Sequence, residues 1–479
     1  MKQSQFVKEF FQRLNQSDVV YCVLKNFTQL PEQSGRDVDL WIEERDINKC
    51  RQIMFEVAQD LGWDLLATSL RLRFINAGEY YFINNESTNQ VWVLDLSAYL
   101  HWKGISYLDH RVLSKHIQTH PRGFKIASPG LEAASLIFRG AMAGVIKDRD
   151  KPRITECLES DPHSFLDVLQ EPFSHQVAEL ILAAARDGNW DFLEHNMKIF
   201  QKTIFKRALL RHPFFQIKQW LRYYTAIWRN RLSPTHGFFI TLLGPDGAGK
   251  TTIAKLLVES DALKNIFPRQ KYFYRRFEVP WKNLIHQIKR TGVRLDAEVR
   301  DDRSVVPMEP LKALIYAVYL ACEYFTGPLF LRWWKSNAGL VVFDRYFYDY
   351  LVFEDFARCP WWLLFILAKI VPRPDALIYL QNDAATIYAR KPERSIPEIN
   401  RQIKICERLV ARLPNSFTIN SSKTPEKMID EIRNILIQNL RERNRSVVKP
   451  LGNSKRLIGA TLRPKSTNSG HLGIVEPEK

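Results

Sequence analysis

The chain has no apolar run long enough to span a bilayer. Its nearest candidates, Ala313–Cys322 and Trp361–Val371, fall short of the roughly 18 residues needed and read as buried helices. Cysteine is scarce: six in 479 residues, with no C-x-x-C pair. That scarcity argues against a disulfide framework or a cysteine-based zinc site and points to a reducing, cytoplasmic setting. The opening MKQSQFVKEFFQRL places Lys8 and Glu9 where a secretory signal would be apolar. Acidic residues are missing between Gln201 and Leu232, where Lys202, Lys206, Arg207, Arg211, Lys218, Arg222, Arg229 and Arg231 gather. No internal repeat is visible.

What is abundant is positive charge, +17 overall, with nine Lys or Arg against three Glu from Arg441 onward. A basic surface attracts phosphates, nucleic acid or anionic lipid without choosing among them. A solvated basic helix followed by a solubilising tail has the same composition.

Hydrophobic spacing divides the chain into four parts, 1–125, 126–235, 236–440 and 441–479. The first reads as α+β. Phe6, Phe10, Phe11 and Leu14 share a helical face, Val19–Leu24 is a β-type run, and Val38, Leu40 and Ile42 alternate with Asp37, Asp39 and Trp41. A helix around Ile47–Leu61 and strands at Arg71–Ile75, Tyr80–Ile83 and Val91–Leu96 follow. From Pro129 to about Asn230 the pattern is helical, forming a connector that ends at the turn formers Ser233–Gly237.

Beyond them strands alternate with helices: Phe238–Leu243, Lys271–Phe277, Leu340–Phe343, Ala376–Leu380 and Ser416–Ile419. A long apolar helical zone follows Phe277, and Thr424–Leu440 is helical. This alternation predicts an α/β fold, a parallel sheet with helices on both faces. The composition after Leu440 predicts disorder.

Gly244-Pro-Asp246-Gly247-Ala248-Gly249-Lys250-Thr251 satisfies G-x-x-x-x-G-K-[ST], between the strand FFITLL and the helix TTIAKLLVE. The glycines let backbone N–H groups converge on phosphate oxygens. Lys250 supplies a charge for the β- and γ-phosphates, Thr251 a hydroxyl for Mg²⁺, and the helix its positive N-terminal end. Gly244, Asp246, Gly247, Ala248, Gly249, Lys250, Thr251 and Thr252 are therefore the expected binding residues for a nucleoside triphosphate, with ATP the expected ligand.

GPDGAGKTT, with Asp246 inside the loop, resembles thymidylate kinases and their nucleoside monophosphate kinase relatives. Asp344-Arg345-Tyr346 after the strand LVVF looks like that family's D-R-Y motif. Pro374-Asp375 before ALIYL, then Tyr388-Ala-Arg390-Lys391-Pro-Glu-Arg394, is similar to its P-D strand and arginine-bearing lid. The resemblance spans about 236–440 and implies a P-loop NTPase fold using ATP and Mg²⁺. It assigns catalysis to Lys250, Asp344, Arg345, Arg390 and Arg394, the metal to Thr251 and Asp344, and an acceptor-facing role to Asp246. It also implies a homodimer. Where the family carries T-R-E-P-G-like and Ser…Ala-Tyr-Gln elements for the acceptor base, this chain has Tyr274–Val279 and Phe347–Val352.

Asp37 and Asp39 lie two apart on one strand and so face the same way, while Asp95 sits inside Val91–Leu96. Val23-Leu-Lys-Asn-Phe27 with Asp37-Val-Asp39-Leu-Trp-Ile42 is similar to the nucleotidyltransferase superfamily over about 15–125. There, three such carboxylates hold Mg²⁺. Lys25–Asn26 stands in place of that superfamily's Gly-Ser. A nucleotidyltransferase-like domain that only binds a ligand is the alternative.

Three functional readings follow. The first is a kinase acting on a small acceptor, nucleotide or sugar, with an appended nucleotidyltransferase-like domain. The second is a nucleic-acid end-processing enzyme that stacks bases on Trp220, Tyr223, Tyr224 and Trp228. The third is a non-catalytic, ATP-binding scaffold docked on an anionic membrane by 201–232.

Overall fold

The computed structural model of the protein describes residues 2–32, 37–68, 77–84, 91–232, 234, 236–274, 327–336, 338–352 and 371–444. The strand expected at Arg71–Ile75, both short apolar runs up to residue 370, most of the helical zone after Phe277 and the tail from 445 lie outside these residues. The chain divides into two compact units. One holds the described residues up to Asn230 and those from Arg441, the other those from Arg231 to Leu440. Among the described residues no helix is long and apolar enough to cross a membrane.

In the first unit the strands are β1 (Tyr21–Val23), β2 (Asp37–Ile42), β3 (Trp63–Thr68), β4 (Ala77–Asn84), β5 (Val91–Ser97), β6 (His101–Trp102), β7 (Ile105–Ser106), β8 (Ile117–Thr119) and β9 (Lys125–Ala127). Seven of them form a mixed sheet in the order β3-β4-β5-β2-β1-β9-β8, and β6 and β7 form a hairpin. The alternation in β2 sends Val38, Leu40 and Ile42 into a core with Phe6, Phe10 and Leu14 of the helix Lys2–Gln16, and with Met54 and Val57 of the helix Ile47–Asp60. Asp37 and Asp39 consequently face the other way.

Trp41, on the aspartates' face, joins a second core with the helix Pro129–Ala143. That helix starts at Ser128, whose hydroxyl accepts from Leu131 N, and stops at Gly144 in left-handed conformation. Helices Lys151–Ser160, Pro162–Leu169, His175–Arg186, Trp190–Arg211 and Pro213–Leu232 follow. Glu132, only 3 % exposed, is held by Arg153 Nη2 at 2.6 Å. This ion pair pins the helix Lys151–Ser160 to the central one.

The second unit contains β10 (Phe238–Leu243), β11 (Arg269–Tyr274), β12 (Gly339–Asp344), β13 (Ala376–Gln381) and β14 (Ser416–Asn420), ordered β11-β12-β10-β13-β14. Every pairing is parallel, as the alternation of strands with helices predicts. Strands β10 and β12 are buried along their whole length, which is why they read as unbroken apolar runs rather than alternating ones. One face packs Phe239, Val341, Phe343 and Leu377 against Cys406 of the helix Ile396–Arg412. Asp375 is structural here: its Oδ2 accepts from Phe239 N at 2.7 Å and pairs with Lys335 at 2.7 Å. In such sheets ligands bind beyond the C-terminal strand ends, and β10 and β12 end side by side, with Leu242 opposite Asp344.

Candidate functional site

Beyond β10 the loop is shaped by its glycines. Gly249 caps the helix Lys250–Glu259 with φ 93°, and Gly247 has φ 92°, a region in which side chains are strained. A Cβ on Gly247 would also stand 3.2 Å from Ile387 Cγ2 and from Lys391 Cβ. The helix Ala384–Arg390 therefore sits directly on the loop. Loops of this shape turn successive backbone N–H groups toward one anion. Ala248 N closes the turn on Pro245 O at 3.2 Å. Buried Lys250 donates through Nζ to the carbonyls of Gly244 and Pro245 at 2.5 and 2.9 Å. Thr252 is exposed on the helix's first turn.

Asp344, fully buried at the end of β12, meets that first turn. Its Oδ2 accepts from Thr251 Oγ1 at 2.6 Å and from Tyr272 OH at 3.1 Å. Its Oδ1 has no hydrogen-bond partner among the described residues. An orphaned buried carboxylate oxygen beside a hydroxyl is a donor set suited to a hard divalent cation. Thr251 and Asp344 thus fit the Mg²⁺ that the sequence resemblance implies. Burial and the Asp344 charge together raise the Tyr272 hydroxyl above its ordinary pKa.

Arg345 is held in left-handed backbone conformation, φ 63°, of the kind that concentrates at functional sites. Its Nη2 lies 2.7 Å from Asp246 Oδ1, and its guanidinium lies over the Tyr274 ring, 5.9 Å from the centroid. Burial opposes the charge, but Asp246, Tyr274, Asp349 and Asp344 outweigh it and raise the pKa. Asp246 and Arg345, far apart in sequence, are therefore one bonded pair.

Asp349 lies within Phe347–Val352, to which the sequence motifs assign no catalytic role. It begins the short helix Asp349–Val352 and is 4 % exposed, and neither carboxylate oxygen has a hydrogen-bond partner among the described residues. Burial pushes its carboxyl up to about 7. Lys250 and Arg345 pull it down, and Asp344 and Asp246 push it further up. The available signal was a lone charge within the aromatic run Phe347-Tyr-Asp-Tyr-Leu.

The two lid arginines are placed differently. Exposed Arg390 donates through both Nη atoms to Ser421 O, just past β14, at 3.2 Å each. Arg394 lies in the field of Glu398, at the start of the next helix. Between them Lys391 pairs with Glu393 at 2.9 Å.

In the first unit the register of β2 on β5 puts Asp39 directly beside Asp95, and that of β4 on β5 puts Glu79 on Asp95's other side. With Asp37, four carboxylates share one sheet face. Glu79 escaped the sequence reading because only the register brings it there. Lys25 Nζ stands 2.9 Å from Asp39 Oδ2. Burial raises the Asp39 carboxyl, which Lys25 pulls back and Asp37 raises further. Among the described residues no group of three or more His, Cys, Asp or Glu is arranged to hold a metal ion. Near the ends of β2 and β5 a cavity of about 500 Å³ is lined by Glu44, Tyr99, Glu171, Arg207 and Arg211, among others.

No family model matches the chain. Part of it is similar to thymidylate kinases. That of Xanthomonas oryzae pv. oryzae (strain PXO99A) is 26 % identical over 213 residues, 43 % of this chain and 86 % of the relative. That of Xanthomonas campestris pv. campestris (strain B100) is 27 % identical over 221 residues, 44 % and 87 %. That of Xylella fastidiosa (strain M12) is 25 % identical over 221 residues, 43 % and 90 %. With the parallel sheet and its loop, this similarity identifies a thymidylate kinase-like P-loop kinase region.

Proposed function

We propose that the unit Arg231–Leu440 transfers the γ-phosphate of ATP, with Mg²⁺, to a small acceptor such as a nucleotide or a sugar. The observation that carries this reading is the meeting of Lys250, the Thr251–Asp344 pair and the Arg345–Asp246 pair beyond the adjacent ends of β10 and β12. Phosphoryl transfer spreads negative charge over oxygens, so the protein's task is positioning and electrostatic stabilisation. Mg²⁺, when bound, supplies a Lewis acid for the phosphate oxygens.

The chain's residues supply the rest. Lys250 leaves the loop carbonyls for a phosphate oxygen, and Thr251 and Asp344 fix the metal side. Asp246 holds Arg345 toward the acceptor side. Arg390 and Arg394 lie on the lid that covers the loop, and closure brings their charge over the phosphates. Turnover of ATP against a panel of nucleotides and sugars, with Lys250→Ala as control, tests the reading. Turnover that survives Lys250→Ala would sink it.

We further propose that the first unit is nucleotidyltransferase-like, on the support of Asp39 beside Asp95 with Asp37 on the same face. A metal ion there requires Lys25 to give up Asp39. Pyrophosphate release from nucleoside triphosphates that is lost in Asp39→Asn would support catalysis. Triphosphate binding without release would leave a ligand-binding domain.

A further inference from the structure

The helix Pro213–Leu232 is fixed to the first unit along one side. Gln216 Oε1 accepts from Ser106 N at 2.9 Å, and its Nε2 donates to Ser106 O at 2.8 Å. Gly104, with φ 88°, lets the hairpin β6–β7 approach so closely that a Cβ there would stand 2.7 Å from Tyr223 Cβ and 2.9 Å from Trp220 Cα. The Phe215 ring meets Tyr99 edge-on, with centroids 5.3 Å apart. Gln219 and Ala226 are buried. A helix held at so many points does not roll about its axis, so the direction of its outer side is set.

That outer side is an apolar ridge. Phe214, Ile217, Leu221, Tyr224 and Trp228 follow one another at alternating three- and four-residue steps, with Phe214 86 %, Leu221 53 % and Trp228 60 % exposed. At about 3.6 residues per turn such steps stay on one face, here for about 21 Å. Thr225 lies on the same face, but its hydroxyl donates back to Leu221 O at 2.7 Å, so the helix itself takes up that polar group. Lys218, Arg222 and Arg229 run along one flank of the ridge, and the helix contains no acidic residue. A contiguous apolar face of this kind, bordered by charge of one sign, marks an interaction surface.

We propose that this face docks on an anionic lipid surface, with the helix lying in the plane of the headgroups. The ridge enters the boundary between headgroups and acyl chains. Tyr224 and Trp228 suit that depth, since each ring has an apolar body and a polar tip. The flanking cations reach the lipid phosphates while their aliphatic stems stay on the ridge. The opposite side, with Gln216 and Gln219 bonded into or buried against the protein, excludes a crossing orientation. A second copy of this helix would bring like charges together. A nucleic acid would leave the aliphatic Ile217 and Leu221 unburied. A lipid surface satisfies both the ridge and the charge. The ridge belongs to the first unit, so the proposal stands or falls independently of phosphoryl transfer by the second.

The test is flotation of the full chain with vesicles. The chain should float with vesicles about one-third phosphatidylglycerol and not with pure phosphatidylcholine. Phe214→Glu/Leu221→Glu should partition at least about tenfold less. Lys218→Gln/Arg222→Gln should partition about thirtyfold less on the anionic vesicles, at about 1 kcal/mol for each cation near the surface. Both variants change outer side chains only, and both should bind a non-hydrolysable ATP analogue as the wild type does. If the glutamate variant unfolds, Leu221→Ser alone carries the comparison. Failure of the wild type to float would overturn the proposal. Equal flotation of the ridge variants would assign attachment to charge elsewhere on the chain and overturn it too. So would self-association in place of flotation, abolished by the same variants, or salt-sensitive retention on RNA in place of vesicles.

Discussion

Thr251 Oγ1 donates to Asp344 Oδ2 across 2.6 Å, joining the first turn of the P-loop helix to the end of β12. With Asp344 Oδ1 unpartnered among the described residues, the pair leaves a carboxylate oxygen for a cation. Asp344→Asn keeps the shape and removes the charge. Its Mg²⁺-dependent turnover should fall by about 10²–10³-fold, while binding of an ATP analogue in EDTA should stay at the wild-type level. Equal losses with and without metal would place Asp344 in the scaffold instead.

Gly247 carries two constraints at once, a φ of 92° and a lid that would stand 3.2 Å from any Cβ. Gly247→Ala should therefore displace the helix Ala384–Arg390, at a cost of about 1–2 kcal/mol. Equilibrium titration should show roughly tenfold weaker ATP binding, since 1.4 kcal/mol is a factor of ten. Unchanged affinity would mean that the lid does not need this contact.

How much of this could be read in the sequence differs residue by residue. The P-loop was legible because phosphate binding fixes both residue types and spacing within eight positions. Asp344–Arg345 was legible because a charged pair ended an apolar strand. Asp349 was not, because its burial comes from the short helix Asp349–Val352 packing on the distant Ile396–Arg412. Glu79 was hidden for a similar reason: its place beside Asp95 depends on strand register, which its own neighbours in sequence do not state. The strand Trp63–Thr68 was missed because WDLLAT lacks the period of two that marks a half-exposed strand.

Lys25 is paired with Asp39 at 2.9 Å, so a divalent ion could use that carboxylate only by displacing it. Lys25→Ala should remove the cation nearest Asp39 and so tighten Mn²⁺ binding beside Asp39 and Asp37. Calorimetric titration should show this gain in Lys25→Ala and not in Lys25→Ala/Asp39→Asn. If Lys25→Ala binds Mn²⁺ no better than wild type, the aspartates hold no metal and their role is structural.

Glu171 links the helical part of the first unit to pH. Burial pushes its carboxyl from 4.5 up to about 7, against the Asp109 N–H and Arg211, with the Asp109 charge adding to the rise. Arg211 Nη1 stands 2.9 Å away. Between those two values the folded chain holds a proton that the unfolded chain has lost. The stabilisation is therefore complete below about pH 4.5 and is lost as pH rises through about 7. Hydrogen exchange should accordingly find the helix Trp190–Arg211 less protected at pH 8 than at pH 5, after correction for the intrinsic rate. Glutamine mimics the protonated acid, so Glu171→Gln should flatten that dependence and match wild type at pH 5. A slope that persists in Glu171→Gln would assign the pH response to another group.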